Sequence, residues 1–233
     1  MYIYENTQMH ASGWVKDVNW DTEKRVNTWY GVRVDEGAHV VAIILSSNRM
    51  MGRLLETTRL KQLVNLRSLF LNSNAFKGAL PESIGDLVSL EELNVAWNEF
   101  EGPIPDSIYT LTHLTVLRLD NNHFTGGLSD ELRNLQALRL LDVSNNQLTG
   151  NIPFVAGEGT YARLGVCNFK PGNLFEYPIP DTALEFKEYG PGVETHVETG
   201  RHSEHGHEHH HEHHGNHHGG HSHGGHHGHG HHH

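Results

Sequence analysis

The 233-residue chain has one cysteine, Cys167, so no intrachain disulfide can form. It has no N-x-[ST] sequon. It has no run of lysine and arginine, and its formal charge is -11 with histidine neutral, so nucleic acid is excluded as an expected partner. The longest apolar run, Val40 to Leu45, is far too short for a membrane helix, which needs roughly 20 residues. The opening stretch MYIYENTQMHASGW has neither a basic region nor an apolar core and does not read as a signal peptide. Together these absences lead us to expect a cytoplasmic protein, with an extracellular one as the alternative if the gene model lacks its true start. No P-loop, dinucleotide fingerprint or catalytic constellation is present, so no enzyme is expected. His113 and His123 stand alone and read as solvated surface residues.

What is present is a period. Asn74, Asn98, Asn122 and Asn146 lie 24 residues apart, as do Leu66, Leu90, Leu114 and Leu138, and Gly78, Gly102, Gly126 and Gly150. Phe76, Phe100, Phe124 and Leu148 keep step. Proline recurs as Pro81, Pro105 and Pro153, and Ser129 interrupts that series. This spacing, with L-x-x-L-x-L-x-x-N in each unit, is that of a leucine-rich repeat.

In each unit L-x-x-L-x-L reads as a short strand whose alternate residues face opposite sides. Leu69 and Leu71, Leu93 and Val95, Leu117 and Leu119, Leu141 and Val143 face the core. The asparagine closing each strand is expected to satisfy backbone groups at the turn, and stacked copies to form a ladder. The segments ESIGDLVSL, DSIYTLTHL and DELRNLQAL suit short helical or 3-10 turns on the convex side.

The unit L-x-x-L-x-x-L-x-L-x-x-N-x-[FL]-x-G-x-[IL]-P resembles the plant-type leucine-rich repeat. Here it reads LRSLFLNSNAFKGALPESI, LEELNVAWNEFEGPIPDSI, LTVLRLDNNHFTGGLSDEL and LRLLDVSNNQLTGNIP. HVVAIILSSNRMMGRL forms an irregular first unit, with Asn48 in the ladder position. Trp29-Tyr30-Gly31-Val32 resembles the W-x-G-V of the family's N-terminal cap. Asn27 and Val34 stand near the places where many such caps carry cysteines. VCNFKPGNLFEYPIP resembles a loosened last unit, with Asn173, Phe175 and Pro180 in the Asn, Phe and Pro positions. Val166 to Pro180, together with DTALEFKEY, is the candidate cover for the last turn.

The expected fold is a leucine-rich repeat solenoid of the α/β class, with about six turns. A curved parallel sheet lines the concave face, and a disordered tail follows. Residues 1–39 form the N-terminal cap, 40–180 the solenoid with its terminal cap, and 181–233 the linker and tail.

The resemblance implies a concave binding face for a protein or peptide, on a monomer that requires no cofactor. Solvent-facing columns across it read Ile44, Phe70, Asn94, Arg118, Asp142, and Ser46, Asn72, Ala96, Asp120, Ser144. Phe70 and Trp97 are the expected aromatic anchors, and Phe70, Glu92, Asn94, Trp97, Arg118 and Asp142 the expected contact set. Arg118 is expected to pair with Asp120 and Asp142.

From Arg201 to His233, 18 of 33 residues are histidine and no apolar side chain occurs. Such a segment cannot offset its ordering entropy. Its imidazoles suit zinc, nickel or copper. The candidate ligands are His205, His207, His209, His210, His211, His213, His214, His221 and His223. His207 to His211 matches H-E-x-x-H, but no helix signal surrounds it. Metal buffering or sensing by this tail is the alternative function.

Overall fold

The protein was analysed as a computed structural model that describes residues 15–16, 23–54, 60–153, 164–169 and 172–176. The chain divides into two compact units, Met1–Gly200 and Arg201–His233, and every described residue lies in the first. Pro180, the tail histidines and the segment DTALEFKEY fall outside the described residues.

The strands, in chain order, are β1 (Val32–Val34), β2 (Val40–Ile44), β3 (Met51–Arg53), β4 (Ser68–Phe70), β5 (Ala75–Gly78), β6 (Glu92–Asn94) and β7 (Glu99–Pro103). They continue as β8 (Val116–Arg118), β9 (His123–Gly126), β10 (Leu140–Asp142), β11 (Gln147–Gly150), β12 (Val166–Asn168) and β13 (Leu174–Phe175). The concave sheet runs β1-β2-β4-β6-β8-β10-β12. It is parallel except at β1, which pairs antiparallel with β2 and begins the sheet. Leu69, Leu93, Leu117 and Leu141 stand in register across it and are at most 3% exposed.

A second parallel sheet, β13-β11-β9-β7-β5-β3, runs along the flank. The repeat pattern alone does not predict it. Each of its strands has few inward side chains, chiefly the Phe or Leu of the x-[FL]-x-G step, so no alternation marks it. Phe76, Phe100 and Phe124 stack at 5.9 and 6.1 Å between ring centroids, with 9° between planes. The glycine that follows holds φ near +79° at Gly102, a region that costs side-chain-bearing residues energy.

The convex side carries 3-10 helices at Glu82–Asp86, Asp106–Thr110 and Asp130–Asn134, as the segment lengths predict. Pro81 and Pro105 enter the first two in extended conformation. Ser129 replaces proline at the third, and its hydroxyl accepts from the Glu131 N–H at 3.2 Å, an N-cap in place of a fixed φ. Ile84, Ile108 and Leu132 drop from these helices into the core at 0–1% exposure.

The ladder residues hold the turns in register. Asn98 Nδ2 donates to the carbonyls of Leu71 and Val95 at 3.0 Å and of Ala96 at 3.3 Å. Its Oδ1 accepts from Phe76 N at 3.0 Å. Asn122 and Asn146 repeat this pattern one and two turns on. Asn48 joins at the first turn, bonded to Lys16 N and O at 2.8 and 3.0 Å. Asn173 joins at the last, donating to Val143 O and Phe169 O at 2.8 and 2.9 Å and accepting from Leu148 N at 3.0 Å. The loosened last unit is therefore in frame. Ahead of β1, Gly31 lies so close to β2 that a Cβ would clash with Ile44 O, which accounts for the glycine of Trp29-Tyr30-Gly31-Val32.

Leu93 is fully buried between Leu69 and Leu117. Leu93→Asp should lower unfolding stability by several kcal/mol, on the order of the cost of a buried charge or its neutralisation. A melting curve shows this directly, and an unchanged midpoint would contradict the frame.

Candidate functional site on the strand face and its rim

The strands place the expected contact residues as alternation requires, but the face they form is not open. Phe70 is 3% exposed and Asn94 is 1% exposed, so both expectations of a solvent-facing side chain are corrected. Asn94 folds back on its own strand, and its Oδ1 accepts from Ala96 N at 3.1 Å. Phe70 lies in register between Ile44 and Asn94. The second column is also buried: Asn72 is 6%, Ala96 1%, Asp120 2% and Ser144 3% exposed. Val116 and Leu140, at 3% and 2%, are buried as well. None of Phe70, Ala96, Val116 or Leu140 belongs to the hydrophobic core between the two sheets. Alternation decides the face a side chain takes and leaves open whether that face meets water.

Arg118 pairs as expected. Its Nε and a terminal nitrogen donate to both oxygens of Asp120 at 3.0 and 3.1 Å, a bidentate pair. A terminal nitrogen also lies 3.8 Å from Asp142 Oδ2 across the sheet. One guanidinium thus serves two carboxylates. Asp142 Oδ1 accepts from Ser144 N at 3.1 Å and from Ser144 Oγ at 2.6 Å. Burial is the main force raising the Asp142 pKa above the ordinary carboxylate value, and the Asp120 charge adds to it; Ser144 and Arg118 oppose both. Glu92, half-buried, accepts from the Ser68 hydroxyl at 3.0 Å.

Trp97 differs from all of these. It follows β6 at the rim of the sheet and is 59% exposed. It holds φ at +57°, in a row with Ser47, Ser73, Asn121 and Asn145 at +52° to +58°. Asparagine enters the left-handed region readily; a bulky aromatic does so at a cost. Sequence reasoning finds Trp97 from its break in the row, but the strain appears only in the backbone.

Cys167 lies half-buried on β12, and burial, with the Asp142 charge, pushes its thiol up to about 12. It packs against the core as a partly buried apolar side chain. Among the described residues no group of three or more His, Cys, Asp or Glu could hold a metal. The tail ligands His205 to His223 lie outside the described residues. No described helix is long and apolar enough to cross a membrane.

Residues 45–155 match the family model of a leucine-rich repeat region. These residues are leucine-rich repeats, and they are similar to those of plant receptor ectodomains. Solved structures agree. The complex of PEPR1 with AtPEP1 is 31% identical with a TM-score of 0.58; the match covers 64% of this chain and 20% of that one. This chain therefore spans about a fifth of that relative. The complex of BIR3 with SERK2 from Arabidopsis thaliana is 28% identical, with a TM-score of 0.59 and coverage of 69% and 82%. The leucine-rich repeat ectodomain of the receptor kinase SOBIR1 from Arabidopsis thaliana is 29% identical, with a TM-score of 0.53 and coverage of 62% and 81%. No curated protein matches the chain.

The raised Asp142 pKa has a sign for stability. The folded state holds this proton more tightly than the unfolded chain, so the site's contribution falls as pH rises from the ordinary carboxylate value through the raised one. Asp142→Asn should therefore melt no lower than wild type at pH 7, with the gap between them closing as the pH is lowered through that window. A variant markedly less stable at pH 7 would show that the Arg118 contact outweighs the burial.

Proposed function

We propose that this chain is a non-catalytic module that binds a protein or peptide partner along the concave side of its repeats, with Trp97 at the rim as the anchor. Glu92, Arg118 and Asp142 stand on the same side and would supply polar contacts; Phe70 and Asn94 would act behind them. The observation that carries this reading is Trp97 itself. A tryptophan 59% exposed gains little from burial, and at φ +57° it bears a backbone cost. Folding offers no return for either, while a tryptophan seated in a partner is among the strongest interface contacts. Related structures solved as complexes support the class of function, PEPR1 with AtPEP1 and BIR3 with SERK2. The SOBIR1 ectodomain supports an extracellular setting over the cytoplasmic one expected from the sequence. In this reading the chain works as a monomer and needs no cofactor.

Trp97→Asn places the residue of the neighbouring turns at the same position. It should leave the melting temperature unchanged or raise it slightly, while partner capture weakens by about 2 kcal/mol, roughly 30-fold in Kd. Quantitative mass spectrometry on the captured proteins reads this. Capture unaffected by Trp97→Asn but abolished by His113→Ala, on the convex side, would place the binding face elsewhere.

A second activity rests on the tail's composition, 18 histidines in 33 residues. We propose that His205, His207, His209, His210, His211, His213, His214, His221 and His223 bind zinc, nickel or copper in several weak, overlapping sites. Protons compete with metal for imidazole, so uptake at pH 7.5 should be lost by about pH 5. Calorimetry of the full chain against one lacking 201–233 checks this. One ion bound stoichiometrically with a sharp, high-affinity transition would contradict a diffuse site.

A further inference from the structure

The two halves of the repeat array carry opposite charge. Residues 15–77 hold ten lysines and arginines against six aspartates and glutamates, and residues 78–176 hold five against thirteen. Charge of one sign gathered on part of a surface decides which partners approach it. On the flank sheet the sign changes between two neighbouring strands. Arg53 of β3 stands opposite Lys77 of β5, and Lys77 stands opposite Glu99 of β7. Glu101 follows two residues after Glu99, on the same side of β7 by alternation. Arg53, Lys77, Glu99 and Glu101 are exposed, as is Arg49 just before β3. Met50, Phe76 and Phe100 face the other way and are fully buried.

Among the described residues, none of Arg49, Arg53 and Lys77 makes an ion pair or a side-chain hydrogen bond. Arg53 is nonetheless fixed in place. Its side chain lies against the glycine after Lys77, so that a Cβ on Gly78 would stand 3.2 Å from Arg53 Nε and 3.3 Å from its Cγ and Cδ. That packing keeps Arg53 beside Lys77, one strand spacing of about 5 Å away. Like charges facing each other across strands repel. Arg49 adds a left-handed φ of +54°. In the later turns Ala75, Glu99, His123 and Gln147 take its place after the ladder asparagine, and none of them has a positive φ. Folding draws no return from this arrangement, whereas a bound anion relieves the repulsion.

The same row disfavours a long polyanion. A sulfated polysaccharide or an anionic membrane carries one sign over many strand spacings, and beyond Lys77 it meets Glu99, Glu101 and the acidic half of the array. The positive stretch is two strands wide, about 10 Å, which suits two or three carboxylates of a peptide. Trp97 adjoins it. Trp97 O accepts from Asn74 N on the previous turn, and Trp97 lies two residues before Glu99 on its own. Lys77 is thus one strand and at most four residues from Trp97, within about 18 Å. We propose that the partner that seats Trp97 carries a short acidic segment that docks on Arg49, Arg53 and Lys77, next to a basic residue that faces Glu99 and Glu101. This rests on the reading of Trp97 as the anchor and gives its partner a charge pattern.

The probe is a fluorescein-labelled peptide of four glutamates, two glycines and four lysines, together with its reverse-order twin. Anisotropy reads its binding to the full chain at low salt and about pH 8, where the imidazoles are neutral. Arg53→Ala with Lys77→Ala should weaken the tighter of the two peptides by at least about fivefold, the loss of two exposed ion pairs, with circular dichroism unchanged. Lys77→Ala alone, on an exposed side chain, should weaken it by roughly twofold. Arg133→Ala with Arg139→Ala, two exposed cations elsewhere, should leave it as it was. The dependence on Arg53 and Lys77 should persist in Trp97→Asn, so that failure of the patch and failure of the anchor are read separately. Four results would each overturn the proposal. The chain binds neither peptide. The Arg53→Ala, Lys77→Ala chain binds as wild type does. The Arg133→Ala, Arg139→Ala chain loses as much. Or heparin, or a peptide with glutamate in place of the lysines, binds more tightly than the mixed peptides, which would make the flank a polyanion site.

Discussion

Everything in this molecule depends on one side-chain amide repeated along its length. A strand that turns sharply into the next segment leaves carbonyls facing inward with no partner, and each such buried group costs about 1–3 kcal/mol. Asn98 takes two of these carbonyls from neighbouring turns, Leu71 and Val95, and returns an acceptor to Phe76 N. The bond thus joins one turn to the previous one as well as closing its own. Asn74, Asn122, Asn146 and Asn173 do the same. Register between strands, the phenylalanine stack and the row of left-handed residues follow from this link.

The row is where structure passes into function. The ladder forces the residue before each asparagine into the left-handed region, which small polar side chains tolerate. Ser73, Asn121 and Asn145 accept the constraint, and Trp97 accepts it at a cost. The same geometry turns Trp97 outward at the rim, 59% exposed, while Asn94 and Ala96 on the same turn are 1% exposed. One backbone constraint therefore separates the exposed anchor from the buried face.

The sequence shows the fold at its period. The leucines, asparagines and glycines at 24-residue intervals mark the turns, and the last ladder residue, Asn173, is legible from motif alone. The flank sheet is not, because a strand of two to five residues with few inward side chains carries no alternation to read. Arg118 with Asp120 and Asp142 is legible from strand register. The burial of Phe70 and Asn94 is not, because alternation within a strand assigns a side chain to a face and says nothing of how exposed that face is. Trp97 is legible as a broken repeat; its strained φ is not.

Amide hydrogen exchange tests the central claim most directly. If the asparagine ladder is the constraint that holds the turns, the N–H groups of Phe76, Phe100, Phe124 and Leu148, which donate to Asn98, Asn122, Asn146 and Asn173, should exchange only through cooperative opening of the repeats and rank among the slowest in the chain. Exchange of these four at the rate of exposed loop amides, with the strand amides still protected, would show that the turns are held by the sheets alone.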